Sequence, residues 1–127
     1  MLISEVMQKG VVSVSPELPI AELETFLSNE EIGGAPVIDN TGKLVGVVSQ
    51  TDIIRALSEA GDLYEKLAPE FTVEDIMTAS VLMVATDAEV KEVARQMVDA
   101  RVHRALIADE DGVCGIVTTF DLLRLLL

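Results

Sequence analysis

The sequence contains no tryptophan, one tyrosine (Tyr64) and three phenylalanines (Phe26, Phe71 and Phe120). That scarcity argues against the aromatic platforms on which single-stranded nucleic acids stack, and it leaves Val, Ile, Leu, Ala and Met to fill an interior. Cys114 is the one cysteine, so neither an internal disulfide nor a multi-cysteine metal site is available. In its apolar stretch a buried structural thiol accounts for it better than a nucleophile does. His103 is the one histidine, too few for a catalytic metal centre built on imidazoles, and no Ser-His-acid order stands out, so catalysis is not expected. Cations are also short. The 9 Lys and Arg against 22 Asp and Glu give a formal net charge of -13, which opposes nucleic acid or an anionic membrane, because such binding draws its affinity from cations on phosphates. A small phosphate-bearing ligand stays admissible, since one pocket needs only a few local cations and amides. No apolar run approaches membrane-spanning length, and Met1 leads into an amphipathic segment containing Glu5 rather than a secretory leader. A cytoplasmic protein is expected.

What is present is a long repeat. Ile3-Ser4-Glu5-Val6-Met7 returns seventy residues later as Val73-Glu74-Asp75-Ile76-Met77, and the run from Gly46 to Arg55 returns as Gly115 to Arg124. Between these ends Val14 pairs with Val84, Glu22 with Glu92, Ala35 with Ala105, Asp39 with Asp109 and Gly42 with Gly112, after which one deleted residue shortens the offset to sixty-nine. The period exceeds that of solenoids, and two copies do not make an array. At 127 residues and 50% hydrophobic composition the pair can bury a core that either half alone would make only marginally. One globule with internal pseudo-two-fold symmetry is expected.

The pattern predicts the same elements in each copy. In the first, a helical turn at Ser4 to Met7 precedes a short strand at Val11 to Val14. Pro19 marks the first residue of a helix carried by Ile20, Leu23, Phe26 and Leu27 to about Glu31 and ended by Gly33-Gly34. Strands at Ala35 to Ile38 and Leu44 to Val48 flank the turn Asp39-Asn40-Thr41-Gly42, and a helix follows from Thr51 to Ala60. In the second, a strand at Val81 to Val84 leads to a helix from Ala88 to Ala100 with Val90, Val93, Ala94, Met97 and Val98 as its stripe. Strands at Arg104 to Ala108 and Val113 to Val117 and a helix from Thr119 complete it. The domain reading is repeat 1 over 1–60, a connector over 61–71 with a helical part near Leu63 to Leu67, and repeat 2 over 72–127, restarted by the capping box Thr72-x-x-Asp75. The fold class is α/β (α+β), each half reading strand, helix, strand, strand, helix, with strands too apolar for a sheet wetted on one face.

These residues resemble a tandem pair of cystathionine β-synthase (CBS) domains, a Bateman module, over nearly the whole chain. The resemblance is carried by Glu5-Val6-Met7 and Asp75-Ile76-Met77, by Ala35-Pro36-Val37-Ile38-Asp39, and by Gly46-x-x-Ser49-x-x-Asp52 with its copy Gly115-x-x-Thr118-x-x-Asp121. It implies two halves related by a pseudo-two-fold axis, with clefts between them that often hold adenosine nucleotides. It also implies a regulatory role toward a larger enzyme, channel or transporter, so an effector protein is an expected partner. The chain is then either a free-standing module or a piece of something longer.

Each motif also has a structural reading. Ser49-x-x-Asp52 and Thr118-x-x-Asp121 are capping patterns at helix starts, each stabilising by about 1 kcal/mol without any ligand. The resemblance adds that the hydroxyl donates to phosphate and the carboxylate accepts from both ribose hydroxyls, with Thr51 and Phe120 beside them. His103 and Arg104 suit a helix C-terminus, and the resemblance makes them phosphate contacts; Gly33-Gly34 occupies their place in the first copy, so unequal sites are expected. Pro36 reads as an edge-strand proline, or, as the resemblance implies, as the border of an adenine pocket whose edge the backbone around Ala35 and Val37, or around Ala105 and Ile107, reads. The expected ligands are AMP, ADP or ATP, with S-adenosylmethionine ranked after them, and no cofactor or metal. Apolar helix faces, including Leu122 to Leu127, point to a homodimer. The alternative is a structural docking module whose clefts are filled by side chains such as Phe120 and Met83.

Overall fold

Ile20, Leu23 and Leu27 recur at helical spacing and are all buried on one face of helix α1 (Ile20–Asn29). In the computed structural model, which describes residues 1–59 and 70–127, α1 is followed by strands β1 (Gly34–Ile38) and β2 (Leu44–Ser49) and by helix α2 (Gln50–Glu59). The second copy opens with the single turn α3 (Val73–Ile76) and continues as β3 (Met83–Ala85), α4 (Val90–Ala100), β4 (Arg104–Asp109), β5 (Gly112–Thr118) and α5 (Thr119–Leu123). Short 3-10 turns occupy Ile3–Glu5 and Arg124–Leu126. The chain is therefore a mixed α/β protein in which the second copy has the predicted element order and the first has it without its opening strand. The predicted helical part near residues 63–67 lies outside the described residues. Among the described residues no helix is long and apolar enough to cross a membrane.

The two hairpins match down to their irregularity. Ala35 faces Val48 and Val37 faces Gly46 in one, Ala105 faces Val117 and Ile107 faces Gly115 in the other, and each has a bulge immediately after Val37 or Ile107. The deleted residue falls in the turn. Asp39 Oδ1 accepts from the Thr41 hydroxyl (2.6 Å), the Thr41 N–H (2.9 Å) and the Lys43 N–H (3.0 Å), whereas Asp109 pairs directly with Gly112 in the tighter second hairpin. The Thr41 hydroxyl and then the Lys43 N–H hold the Asp39 carboxyl below its ordinary value.

Four predicted features differ. The strand expected at Val11 to Val14 is reduced to a single parallel bridge between Val14 and Val37. The cause is Pro36. At the matching position Leu106 donates its N–H to the Leu82 carbonyl at 2.9 Å, and proline has no N–H to repeat that bond; β1 is also no free edge, because Pro36 O accepts from Val14 N at 3.0 Å. Secondly, Gly33-Gly34 does not end α1. Glu31 takes the left-handed conformation (φ 56) with Glu31 N–H on Ser28 O and Ile32 N–H on Leu27 O. Arg101 (φ 56) does the same after α4, with its N–H on Val98 O and Val102 N–H on Met97 O. Both are Schellman closures formed without glycine. Thirdly, the α4 stripe is narrower than expected, since Val93 and Met97 are buried but Val98 is 75% exposed. Pro19, placed by the sequence at the first helical position, stands one residue earlier, at the N-cap.

The chain divides into two compact units, 12–80 and 1–11 with 81–127. Each contains one hairpin, its helices, and the opening segment of the opposite repeat. Val73 packs with Val14, Ile20, Leu23, Leu27, Val37, Val48 and Ile53, and its counterpart Ile3 packs with Val84, Val93, Met97, Ile107 and Val117. The sequence cuts the chain into consecutive copies, while the cores are built by exchanging their first residues. The exchanged segments also cap the hairpins. Val47 and Thr78 form a two-bond bridge at 2.9 Å each, and Gln8 and Ile116 form its equivalent at 2.8 and 3.1 Å.

This close approach requires the repeated glycine. A Cβ on Gly46 would stand 2.7 Å from the Thr78 carbonyl oxygen, which is backbone, while one on Gly115 would meet first the flexible Met7 thioether and then Gln8 O at 3.2 Å. Gly46→Ala is expected to destabilise by about 1 to 3 kcal/mol, the usual range for overpacking, and Gly115→Ala by less, because the thioether can swing aside. Urea unfolding of the two variants measures the difference, and equal losses would contradict the backbone clash.

Candidate functional site

In both copies a strand runs directly into a helix, and the junction carries a hydroxyl followed three residues on by a carboxylate. Between β2 and α2, Asp52 Oδ2 accepts from the Ser49 N–H at 2.8 Å and the Ser49 hydroxyl at 3.1 Å, and the Asp52 N–H returns a bond to Ser49 Oγ at 3.4 Å. Between β5 and α5, Asp121 and Thr118 make the same three bonds at 2.8, 3.1 and 3.3 Å. These are reciprocal caps that satisfy the free amides of a helix start.

Both carboxylates are buried, Asp52 with 6% and Asp121 with 7% of its surface exposed, and a buried charge needs a partner. Arg55 supplies it one helical turn on, its Nη1 lying 3.1 Å from Asp52 Oδ1, and Arg124 stands 3.4 Å from Asp121 Oδ1. The copies then diverge. The Gln8 side-chain amide donates to both oxygens of Asp121, at 3.1 Å to Oδ1 and 3.0 Å to Oδ2. Thr78 holds the equivalent place beside the first hairpin, and what it contributes there is its backbone bridge to Val47.

The remaining predicted residues fall around these junctions. Ala35, Pro36 and Val37 are buried in β1, as Ala105 is in β4, and Gly34 faces Ser49 as Arg104 faces Thr118. Thr51 and Phe120 occupy matching exposed positions in the first turns of α2 and α5. The His103 side chain is exposed, and its carbonyl accepts from the Thr119 N–H at 3.0 Å and the Thr119 hydroxyl at 3.2 Å, a tie repeated at Gly33 O by the Gln50 N–H at 2.9 Å. The two copies thus share this backbone role and differ in the side chain they add. Cys114, expected to be buried, is half-buried, and desolvation followed by the Asp109 charge pushes its thiol up, away from the thiolate a nucleophile needs. Among the described residues no group of acidic, His and Cys side chains is placed to hold a metal ion.

Sequence reading did not single out Arg55, Arg124 or Gln8. The two arginines carried a signal, since each stands three residues beyond a repeated acid. Gln8 carried none, being 113 residues from Asp121 and matched in the repeat by a different residue type.

The CBS domain family model matches residues 3–59 and 73–127. The chain belongs to the CBS domain family. It is 30% identical over 125 residues to the uncharacterized protein MJ1225 of Methanocaldococcus jannaschii, a match covering 98% of this chain and 42% of that protein. It is 34% identical over 121 residues to the inosine-5'-monophosphate dehydrogenase of the same organism, covering 94% and 22%. The chain therefore spans less than half the length of these two relatives. The uncharacterized protein MJ1426, also of that organism, is 30% identical over 155 residues, and there the match covers 100% of this chain and 92% of the relative. Among solved structures, the CBS domain pair of protein MJ0100 in complex with 5'-methylthioadenosine and S-adenosyl-L-methionine superposes with a TM-score of 0.84 at 30% identity, covering 99% of this chain and 95% of that one. CBSX2 in complex with AMP gives a TM-score of 0.75 at 28% identity, covering 98% and 95%.

The capping hydroxyls support the CBS helix starts whether or not a ligand is present. Ser49→Ala and Thr118→Ala are each expected to cost about 1 kcal/mol in ligand-free denaturant unfolding. No loss in either would mean that the carboxylate alone holds the turn.

Proposed function

We propose that the chain is a regulatory module that binds an adenine nucleotide, AMP, ADP or ATP, at the strand-to-helix junctions marked by Asp52 and Asp121 and passes its occupancy to a partner protein. The observation that carries this reading is the buried Asp52 carboxylate. Its Oδ2 is committed to the cap, while Oδ1 accepts from Arg55. An ionised carboxylate offers about four acceptor positions, so with three taken one position on Oδ1 remains for a hydroxyl of a ribose. The ligands of the two solved CBS pairs, 5'-methylthioadenosine, S-adenosyl-L-methionine and AMP, share an adenosine group, which supports adenosine recognition as the common element. In this reading the backbone of Ala35 and Val37 beside Pro36 reads the adenine edge in the first copy and that of Ala105 does so in the second, the hydroxyls of Ser49 and Thr118 meet phosphate with Thr51 and Phe120 bordering them, and His103 and Arg104 add phosphate donors in the second copy.

A ligand that binds only the folded chain stabilises it, by about 2.7 kcal/mol at a hundred times its Kd. Thermal unfolding with AMP, ADP, ATP and S-adenosylmethionine is expected to show a rise in Tm for at least one of them and none for GMP, and Asp52→Ala is expected to remove most of that rise. The absence of any shift with every adenosine-bearing compound overturns the reading.

A second reading, docking through an apolar surface, is favoured by one observation: Phe120 is 73% and Leu126 82% exposed, with Leu123 and Leu127 also exposed. We propose a homodimer on this ground. Light scattering is expected to give twice the 13.7 kDa chain mass, and a monomer at micromolar concentration contradicts it.

A further inference from the structure

We infer that Gln8 is a built-in competitor for the ligand, closing the Asp121 copy so that one nucleotide binds per chain, at Asp52. The inference rests on the nucleotide reading above and deepens it. The two carboxylates share their cap and their arginine but differ in what is left. Asp52 accepts from the Ser49 N–H, the Ser49 hydroxyl and Arg55. Asp121 accepts from the Thr118 N–H, the Thr118 hydroxyl and Arg124, and additionally takes the Gln8 amide on both oxygens. With about four acceptor positions on a carboxylate, Asp121 is saturated. The amide presents its donor to both carboxylate oxygens and so takes the one position that a ribose hydroxyl would otherwise use.

Gln8 is also held in place by its own backbone. It bridges to Ile116 through Gln8 N–H on Ile116 O at 2.8 Å and Ile116 N–H on Gln8 O at 3.1 Å, so the side chain is delivered to Asp121 by a fixed main chain rather than by chance. A ligand at Asp121 must break two charged hydrogen bonds before making its own. At Asp52 no such exchange is required, because the equivalent Thr78 has no amide to offer. The copy that carries His103 and Arg104 is therefore the one whose ribose acceptor is already filled.

Calorimetric titration of the full chain with AMP tests this through a rescue. The wild type is expected to bind one AMP per chain, and Asp52→Ala to lose it. Adding Gln8→Ala to Asp52→Ala is expected to restore binding at Asp121, tightening it at least about tenfold, the factor carried by one charged hydrogen bond. A merely structural glutamine would not produce a gain. Two equal sites in the wild type, or no recovery in the double variant, overturn the inference while leaving nucleotide binding intact. Absence of AMP binding in the wild type and in Gln8→Ala alike overturns the inference, and the same absence with ADP, ATP and S-adenosylmethionine removes the nucleotide reading itself. Substituting Gln8 leaves its backbone bridge in place, and Gln8→Leu, which keeps the side-chain bulk without the amide, provides a second variant with the same expected gain.

Discussion

The approach of a foreign backbone to within van der Waals reach of Gly46 and Gly115 is the contact on which both compact units depend. A β-hairpin presents unpaired N–H and C=O groups along its free side, and these two hairpins would do so at Val47 and Ile116. Thr78 and Gln8 satisfy them with paired bonds, which is possible only because no side chain stands between. Once that bridge forms, the residues just ahead of it are brought over the sheet, and Val73 or Ile3 enters the core fully buried. Burying an aliphatic side chain of that size is worth about 1.5 to 3 kcal/mol, a sizeable fraction of a typical domain's net stability. The glycine, the bridge and the apolar plug act as one arrangement used twice.

Charge is distributed against the grain of the whole. In a chain with a formal charge of -13, two carboxylates are withdrawn from water, and each is given an arginine three residues further on. The arginines are themselves largely exposed, so these are half-solvated pairs, and the caps contribute as much to holding each carboxylate in place as the ion pairs do. The result is a pair of anionic acceptors fixed in orientation at the starts of two helices.

Much of this was legible in the residues. The duplicated hydroxyl and carboxylate three apart predicted both helix starts, and the turn residues between apolar runs at Asp39 and Asp109 predicted both hairpins, because each depends on neighbours within a few positions. What escaped depends on distant partners. Nothing in Pro36 itself says that its missing N–H would be needed by a strand some twenty residues upstream, and the loss shows only where Leu106 makes the bond. The end of α1 falls two residues before Gly33-Gly34, where the usual left-handed glycine places it, because Glu31 takes that conformation, as Arg101 does after α4. The exchange of opening segments was invisible for a plainer reason: Ile3 and Val73 are apolar in either pairing, and similarity between copies does not say which sheet each one covers.

That exchange gives the chain an order of completion. Residues 12–80 are contiguous, so every part of the first unit is available once the chain has been made that far, and proteins emerging from the ribosome generally fold in that direction. The other unit joins 1–11 to 81–127, and its earliest residues must wait, uncovered, until the last strand exists to receive them. Closing so wide a loop carries little additional entropic cost when the intervening segment has already folded, because a compact unit shortens the effective loop. The first unit thus prepares the second, and the two halves of a symmetric sequence mature by different routes.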